Sequence, residues 1–543
     1  MYFFVLFLSA LFITTVLVAL LIKLAVPLGF IDFPDHRKVH LAAIPRVGGI
    51  GMVAGTFIAL LMWVDLDPSI LTLCWGIGML SLFGMLDDRY NLNYRIKFIG
   101  QLISVIIVVF SGNILIKNLA LFGSHSIPDF IAYPLTIFFL LGTTNAVNMS
   151  DGLDGLAAGL GLLSLACISY LAFLSDGHIL ISICIAIIGA SLGFLRYNTH
   201  PALAFMGDTG SQFLGFSVGV LAISLTQHVN TALSGALPLF ILGLPIIDTL
   251  RVISTRLSQR SSPFKADRNH FHHKLLAMGF DHYEAVLAIY LVQAIFISLA
   301  YFLRYESDEL LLCVYIFLAA LICGFFPLAS KINLRHRVLG QGEKSLLEKS
   351  FGNPSTRAKL ENSAYFALSL LLPCFLLLGV LLNPLATPQK DLGQFAGVML
   401  IAWILSLLLK LPALALVSRV AVYSCVTLVI YFIGNNEYSH PEIEQAFRYA
   451  VEVLALLVAM GVIFSPKQFT LTPSDYLIMF ILIGSASLPV FGPINFARLA
   501  VEAALVLYAV EYVLRLQRKG GIVLQAGCML VLAVVTLQNI STI

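Results

Sequence analysis

Charge is what this sequence has least of. Only 11% of its 543 residues are Asp, Glu, Lys or Arg, where a soluble domain carries about a quarter. So few charges cannot cover a water-facing surface on so long a chain, which excludes an ordinary soluble protein and leaves lipid as the main solvent. A net charge of +3 excludes the broad basic field that nucleic-acid binding requires. Cysteine is sparse too. The eight cysteines lie within apolar runs and none forms a CxxC pair, so neither a disulfide framework nor a thiolate zinc site is expected. They read as small hydrophobes. The first 26 or so residues carry one charge, Lys23, and lack the basic start and small-residue cleavage site of a signal peptide. A retained first helix is expected.

What is present instead is a succession of apolar runs, each near the roughly 20 residues a bilayer crossing takes. They predict helices near 3–27, 48–64, 69–86, 96–111, 130–147, 155–174, 179–195, 211–227, 234–253, 283–303 and 308–329. Alternate connections differ sharply in Lys and Arg. One set holds Arg37, Lys38, Arg46, Arg89, Arg95, Lys97, Arg196, Arg251, Arg256, Arg260, Lys265, Arg268 and Lys274, while the opposite set holds Lys117 and Arg304. Basic connections stay in the cytoplasm, which predicts an N-terminus outside. A basic segment at 331–362 reads as a cytoplasmic linker, followed by further apolar runs near 364–383, 394–410, 412–433, 447–464, 475–491, 497–515 and 521–540. The expected fold is an all-α polytopic membrane protein. About eleven helices form a core over 1–330, and about seven form an extension over 363–543 to which the sequence assigns no role.

The unusual polar residues of the first part cluster in connections already placed on the cytoplasmic side. Arg37, Lys38, His40, Arg46 and the Gly48-Gly49 pair could hold a phosphate, glycine letting backbone approach an anion, or could be a positive-inside anchor. Asp87-Asp88 ends the third helix. Adjacent carboxylates repel unless a cation or proton intervenes, so they could hold magnesium, supply a base, or form a solvated helix end. Asn145, Asn148, Asp151 and Asp154 recur every three residues around Gly152 and Gly155. Two amides and two carboxylates between apolar helices are costly as scaffolding and suit a nucleotide or sugar. Asp208 sits between Gly207 and Gly210, which leaves its oxygens accessible as a hard cation requires; the hydroxyls beside it could be helix caps. Asp248, near the end of the ninth helix, fits a local pair with Arg251 as well as a catalytic role. His270, His272 and His273, with Arg268, Lys265 and Lys274 nearby, could bind zinc but more readily an anion. Carboxylates for Mg²⁺, cations for phosphates and amides for a polar head group together point to metal-dependent phosphoryl transfer at a membrane surface. A cation-coupled transporter, the alternative, would carry ionisable groups near mid-membrane and show repeat symmetry; these groups gather at one face, and no repeat is visible.

Five of these motifs in order resemble the polyprenyl-phosphate N-acetylhexosamine-1-phosphate transferases: Arg37-Lys38-x-His40 with Pro45 and Gly48-Gly49; Asp87-Asp88; Asn145-x-x-Asn148-x-x-Asp151-Gly152-x-Asp154-Gly155; Phe205-Met206-Gly207-Asp208-x-Gly210-Ser211; and Asp267-Arg268-x-His270-x-His272-His273. The resemblance covers about residues 1–330. It implies transfer of a HexNAc-1-phosphate, GlcNAc-1-phosphate by default, from a UDP-N-acetylhexosamine to undecaprenyl phosphate. UMP is released, Mg²⁺ (or Mn²⁺) is required, and the step opens synthesis of a cell-envelope polysaccharide. It further implies a bacterial inner membrane location, an active site facing the cytoplasm, and compatibility with a homodimer. Asp208 would be the principal metal ligand, with Asp88 beside it, and Asp87 and Asp88 would be catalytic, one of them deprotonating the lipid phosphate. Lys38, His40, Asn145, Asn148, Asp151, Asp154, Arg268, His270, His272 and His273 would contact the substrates. One-step and covalent mechanisms both remain open. Two departures are visible. The acidic motif, often D-D-x-x-D, ends here in Asn91, which argues against a metal role at that position. The H-F-H-H order differs from the consecutive histidines of the phospho-MurNAc-pentapeptide translocase relatives and favours simple UDP-HexNAc donors.

Overall fold

The computed structural model describes residues 2–33, 43–65, 67–119, 126–260, 269–331, 354–383, 389–408, 414–434, 441–464, 496–516 and 520–540. These residues are almost wholly helical, because a chain in lipid must satisfy every backbone donor and acceptor within its own segment. The helices are α1 (Tyr2–Leu28), α2 (Gly48–Trp63), α3 (Pro68–Tyr90), α4 (Tyr94–Ile106, continued as a π turn to Ser111), α5 (Asp129–Ser150), α6 (Leu156–Phe173), α7 (His178–Asn198), α8 (Gly207–Ser224, with a π turn to Val229), α9 (Leu237–Ile241), α10 (Gly243–Ser258), α11 (Phe271–Ala277), α12 (His282–Phe302) and α13 (Asp308–Lys331). Fourteen helices of the described residues are long and apolar enough to cross a membrane. Among the described residues the one strand pairing is a two-residue antiparallel pair, β1 (Ile31–Asp32) with β2 (Ile44–Pro45), in which Ile31 faces Pro45. Helix ends follow local sequence. Asp67 accepts from Ile70 N at the start of α3, with Pro68 in the first turn, and Asp281 and Glu284 form a reciprocal capping box on α12, as these residue types do at N-termini.

Two compact units arise, one lying chiefly within residues 1–338 and the other within 339–543. In the first, α8 is the central helix, 94% buried over its most apolar stretch, whereas α13 is only 11% buried. α3 and α5 pack on α8, α1 packs on α7 and α2, and α12 on α6. The expected helix at 234–253 is two helices. Gly243 and Pro245 weaken the ladder there, since proline lacks the amide donor. The Ile241 carbonyl exposed by the break accepts instead from Ser164 Oγ (2.6 Å) and Gln293 Nε2 (2.8 Å), and Leu244 N donates to Gln293 Oε1 (3.1 Å). The second unit holds α14 (Pro354–Leu381), α15 (Lys390–Leu408), α16 (Leu414–Gly434), α17 (Pro441–Phe464), α18 (Phe496–Arg515) and α19 (Gly520–Ile540), with α14 against α17 and α19. The helix expected near 475–491 and most of the 331–362 linker lie outside the described residues. All eight cysteines are free, but only Cys167, Cys184, Cys425 and Cys528 are buried. Apolar side chains on a membrane helix have lipid as an alternative to the protein interior.

Candidate active site

The site is assembled at the ends of α3, α4, α5 and α8. α3 closes on Asp87-Asp88, and Asn91 follows as a left-handed cap (φ 49°) whose amide donates to Asp87 O. This turn aims Asp87 back at its own chain end, where Oδ1 accepts from Leu92 N at 2.7 Å. Its Oδ2 lies 2.5 Å from Lys97 Nζ. The same ammonium is 3.0 Å from Asp208 Oδ2 in the first turn of α8. Two carboxylates more than a hundred residues apart therefore converge on one cationic point. Asp87 is buried and Lys97 about one third exposed, so the point opens to solvent from one side.

Asp88 faces elsewhere. Its Oδ1 accepts from Asp208 N (2.8 Å), and its Oδ2 accepts from Thr209 N (3.0 Å) and Thr209 Oγ1 (2.6 Å). Both oxygens cap the start of α8, where orphan amides and the helix dipole favour a negative charge. Gly207, at φ +70°, is what permits this fit. A Cβ there would fall 2.5 Å from Asp88 Oδ2. The glycine pair at 48–49 serves a similar purpose rather than cradling an anion. Gly48 N donates to Phe205 O (3.0 Å) and Gly49 N to Met206 O (2.8 Å), and a Cβ on Gly49 would lie 2.2 Å from Gly210 N. The missing side chain of Gly49 permits the backbone-to-backbone packing that holds the Asp208 turn.

An amide chain supports Asp208. Asn145 Nδ2 donates to Gln101 Oε1 (2.8 Å), Gln101 Nε2 to Gln212 Oε1 (3.2 Å), and Gln212 Nε2 to Asp208 Oδ2 (3.3 Å). Ser211 Oγ donates to Asn148 Oδ1 at 2.8 Å. Both asparagines singled out in the sequence thus touch the α8 network, Asn145 through two glutamines. Asp151 follows α5 in the turn before α6. Burial, the first cause, and the nearby charges of Asp208, Asp88 and Asp154 push its carboxyl up to about 7. That turn is pinned by Gly155 N donating to Asn198 Oδ1 (2.9 Å) and Tyr290 OH donating to Gly155 O (2.7 Å). Asp154 Oδ2 is 2.7 Å from His200 Nδ1 and accepts from Ala202 N at 3.1 Å.

The histidine motif comes to the same region through His272, whose Nε2 would lie 2.2 Å from a Cβ on Gly152. Burial and neighbouring imidazoles push His272 down to about 3, which favours the neutral ring. His270 is buried, and its Nδ1 donates to Asp248 Oδ2 at 2.8 Å. Asp248 Oδ1 also accepts from Phe271 N (3.0 Å) and from Arg251 (3.1 Å). The local Asp248–Arg251 pair read from the sequence is present, and it also anchors the histidine loop. His273 packs with its ring centroid 4.2 Å from that of His272. Asn91, the departure noted in the acidic motif, receives Arg46 at 3.4 Å, and Arg46 also pairs with Asp32. Lys38, His40 and Arg268 lie outside the described residues.

Sequence reasoning missed Lys97, Gln101, Thr209, Gln212, His200 and His282. Lys97 counted only as a basic anchor, yet its spacing of four from Gln101 places both on one face of α4, a polar stripe on an otherwise apolar helix.

A helical bundle that buries facing carboxylates, a lysine and an amide chain at one end of its membrane helices is a membrane enzyme rather than a passive scaffold, because such groups are expensive in lipid unless they act. The glycosyl transferase family 4 model matches residues 70–226. A probable undecaprenyl-phosphate N-acetylglucosaminyl 1-phosphate transferase of Bacillus subtilis (strain 168) is 39% identical over 300 residues, 52% of this chain and 82% of the relative. An undecaprenyl-phosphate alpha-N-acetylglucosaminyl 1-phosphate transferase of Escherichia coli O157:H7 is 33% identical over 56% of this chain and 85% of its own length. A decaprenyl-phosphate N-acetylglucosaminephosphotransferase of Mycolicibacterium smegmatis is 32% identical over 49% and 74%. The chain belongs to the polyprenyl-phosphate N-acetylhexosamine-1-phosphate transferases of glycosyl transferase family 4, and it is a multi-pass membrane transferase.

Proposed function

We propose that this protein transfers GlcNAc-1-phosphate from UDP-GlcNAc to undecaprenyl phosphate, releasing UMP and opening the assembly of a cell-envelope polysaccharide. The names of the relatives support this acceptor and sugar phosphate. The observation that carries the reading is Lys97 Nζ lying between Asp87 and Asp208, at 2.5 and 3.0 Å. Transfer needs a lipid phosphate oxygen to attack the sugar-bearing phosphorus while the bond to UMP breaks, and the accumulating negative charge must be neutralised.

Mg²⁺ fits this site on its donor set. Asp208 and Asp87 already converge on a cation, and hard oxygens are what Mg²⁺ takes. Asp87 and Asp208 would hold it, and when bound it would neutralise phosphate oxygens. Asp88, proposed from the resemblance as a second ligand, has both oxygens committed to the start of α8. In our reading it positions Asp208 instead of coordinating. Lys97 holds the two carboxylates at one spacing and presents positive charge to the phosphates. The Asn148–Ser211 and Asn145–Gln101–Gln212 bonds fix the α5 and α4 faces against α8, and the Asp151 turn with neutral His272 offers donors and acceptors for the sugar or uracil. The Lys and Arg bias of the connections supports a reading in which this end faces the cytoplasm of a bacterial inner membrane, with the N-terminus outside.

The test is UMP release by the purified protein with undecaprenyl phosphate, Mg²⁺ and a panel of UDP-N-acetylhexosamines, with and without EDTA. Release that depends on metal and on UDP-GlcNAc supports the reading. Release with another donor alone would change the sugar, and binding without release from any donor would remove the transfer reaction.

A further inference from the structure

Away from the Asp87–Lys97–Asp208 point, three chain segments bring two imidazoles and a carboxylate together. Asp154 comes from the turn before α6, His200 from the loop between α7 and α8, and His282 from the first position of α12. One ligand atom from each lies within 4.8 Å of the other two. His200 Nδ1 is 2.7 Å from Asp154 Oδ2, and His282 Nε2 is 3.2 Å from Asp154 O. The two imidazoles stack, centroids 3.9 Å apart and planes 18° from parallel. Neutral imidazole is the form that ligates metal.

We propose that Asp154, His200 and His282 form a second metal site, selective for a zinc-like ion. Two imidazoles and one carboxylate make a donor set that zinc takes with a fourth position open, whereas Mg²⁺ prefers oxygen alone. The surroundings are built to hold the ligands. Tyr283 OH donates to His200 O at 2.9 Å, and Ala202 N donates to Asp154 Oδ2 at 3.1 Å, the kind of outer support that orients metal ligands. An ion bound at His200 Nδ1 takes the place of the hydrogen shared with Asp154, and the neutral ring carries its proton on Nε2 instead. The ion ties the turn carrying Asp151 to the loop leading into Asp208 and to α12, fixing the frame of the active site without entering the reaction. This inference stands on its own geometry and does not require the proposed donor or acceptor.

Full-length protein, freed of any affinity tag and stripped with EDTA, is titrated with Zn²⁺ and, in parallel, with Co²⁺. Elemental analysis, thermal unfolding and the visible cobalt spectrum are the readouts. The expected result is about one tightly held ion per chain, a raised unfolding temperature, and intense cobalt bands of a four-coordinate nitrogen and oxygen site. His200→Gln and His282→Gln should each weaken binding by at least about tenfold, while Asp208→Asn should retain it. Unchanged zinc binding in the double His variant, or no bound ion in the wild type at micromolar Zn²⁺, would overturn the proposal. If the double variant does not fold, the wild-type cobalt spectrum decides: weak six-coordinate bands or none would equally overturn it.

Discussion

Charged side chains are handled differently in the two compact units. In the first, the ion pairs of α3, α4 and α8 join residues far apart in sequence, as Lys97 joins Asp87 and Asp208. In the second, most pairs are local, one helical turn long: Arg448–Glu444 (2.6 Å), Arg498–Glu502 (2.6 Å) and Arg515–Glu511 (2.7 Å). Among the described residues, Arg498 also reaches Glu444 on another helix at 2.7 Å, and Tyr423 reaches Glu511. A local pair neutralises a charge on its own helix and asks nothing of the fold. A long-range pair holds helices in register and keeps its charges reserved at a shared point. The Glu502 and Glu511 charges of the second unit are instead satisfied in place.

Breaking the shared point should have the largest effect. Asp208→Asn or Asp87→Asn is expected to lower turnover by about a thousandfold or more, since each removes charge that acts in the transition state; UMP release by folded, detergent-purified protein checks it. Lys97→Met should cost about a hundredfold, and Lys97→Arg should not restore it, because a planar guanidinium does not fit between two carboxylates as a point charge does. Thr209→Val removes a buried hydroxyl bond to Asp88 and should lower stability by about 1–3 kcal/mol, read by thermal unfolding, with a smaller loss of turnover. For Asp151 the sign is set by a folded value near 7 against an ordinary 3.8. Its protonated form is the favoured one, so its contribution is fully present below pH 3.8 and is lost as pH rises through about 7. Without divalent metal, Asp151→Asn should therefore unfold at a higher temperature than wild type above pH 7, with the gap closing toward pH 4. Glu502→Gln sharpens the comparison from the other side. Loss of a local pair is expected to change stability by no more than about 1 kcal/mol and turnover by less than about twofold.

Much of this was legible in the residues. Apolar run length and the Lys/Arg asymmetry depend only on composition along the chain, so the helices and their basic ends could be read directly. The break between α9 and α10 was invisible because its carbonyl is satisfied by Ser164 and Gln293, which the sequence does not place nearby. The acidic and amide motifs were legible because polar residues are costly in lipid wherever they sit. Their division of labour was not. Asp87 and Asp88 are adjacent and chemically identical, yet the last turn of α3 points one at Lys97 and the other at the amides of α8. Gly48 and Gly49 looked fit for an anion, and their amides bond to the backbone carbonyls of Phe205 and Met206. His270 and His272 looked alike, and one pairs with Asp248 while the other packs on Gly152.

By itself, the sequence determined that this chain lives in lipid, that its polar groups collect at one end of its helices, and which residue types are available there. Those properties follow from transfer free energies, which act residue by residue. Only the tertiary structure decided which carboxylates share a cation, which serve as helix caps, and that His200 and His282 meet over Asp154. Those choices depend on the direction of a side chain at a helix end and on the close approach of segments distant in sequence, which no local pattern encodes.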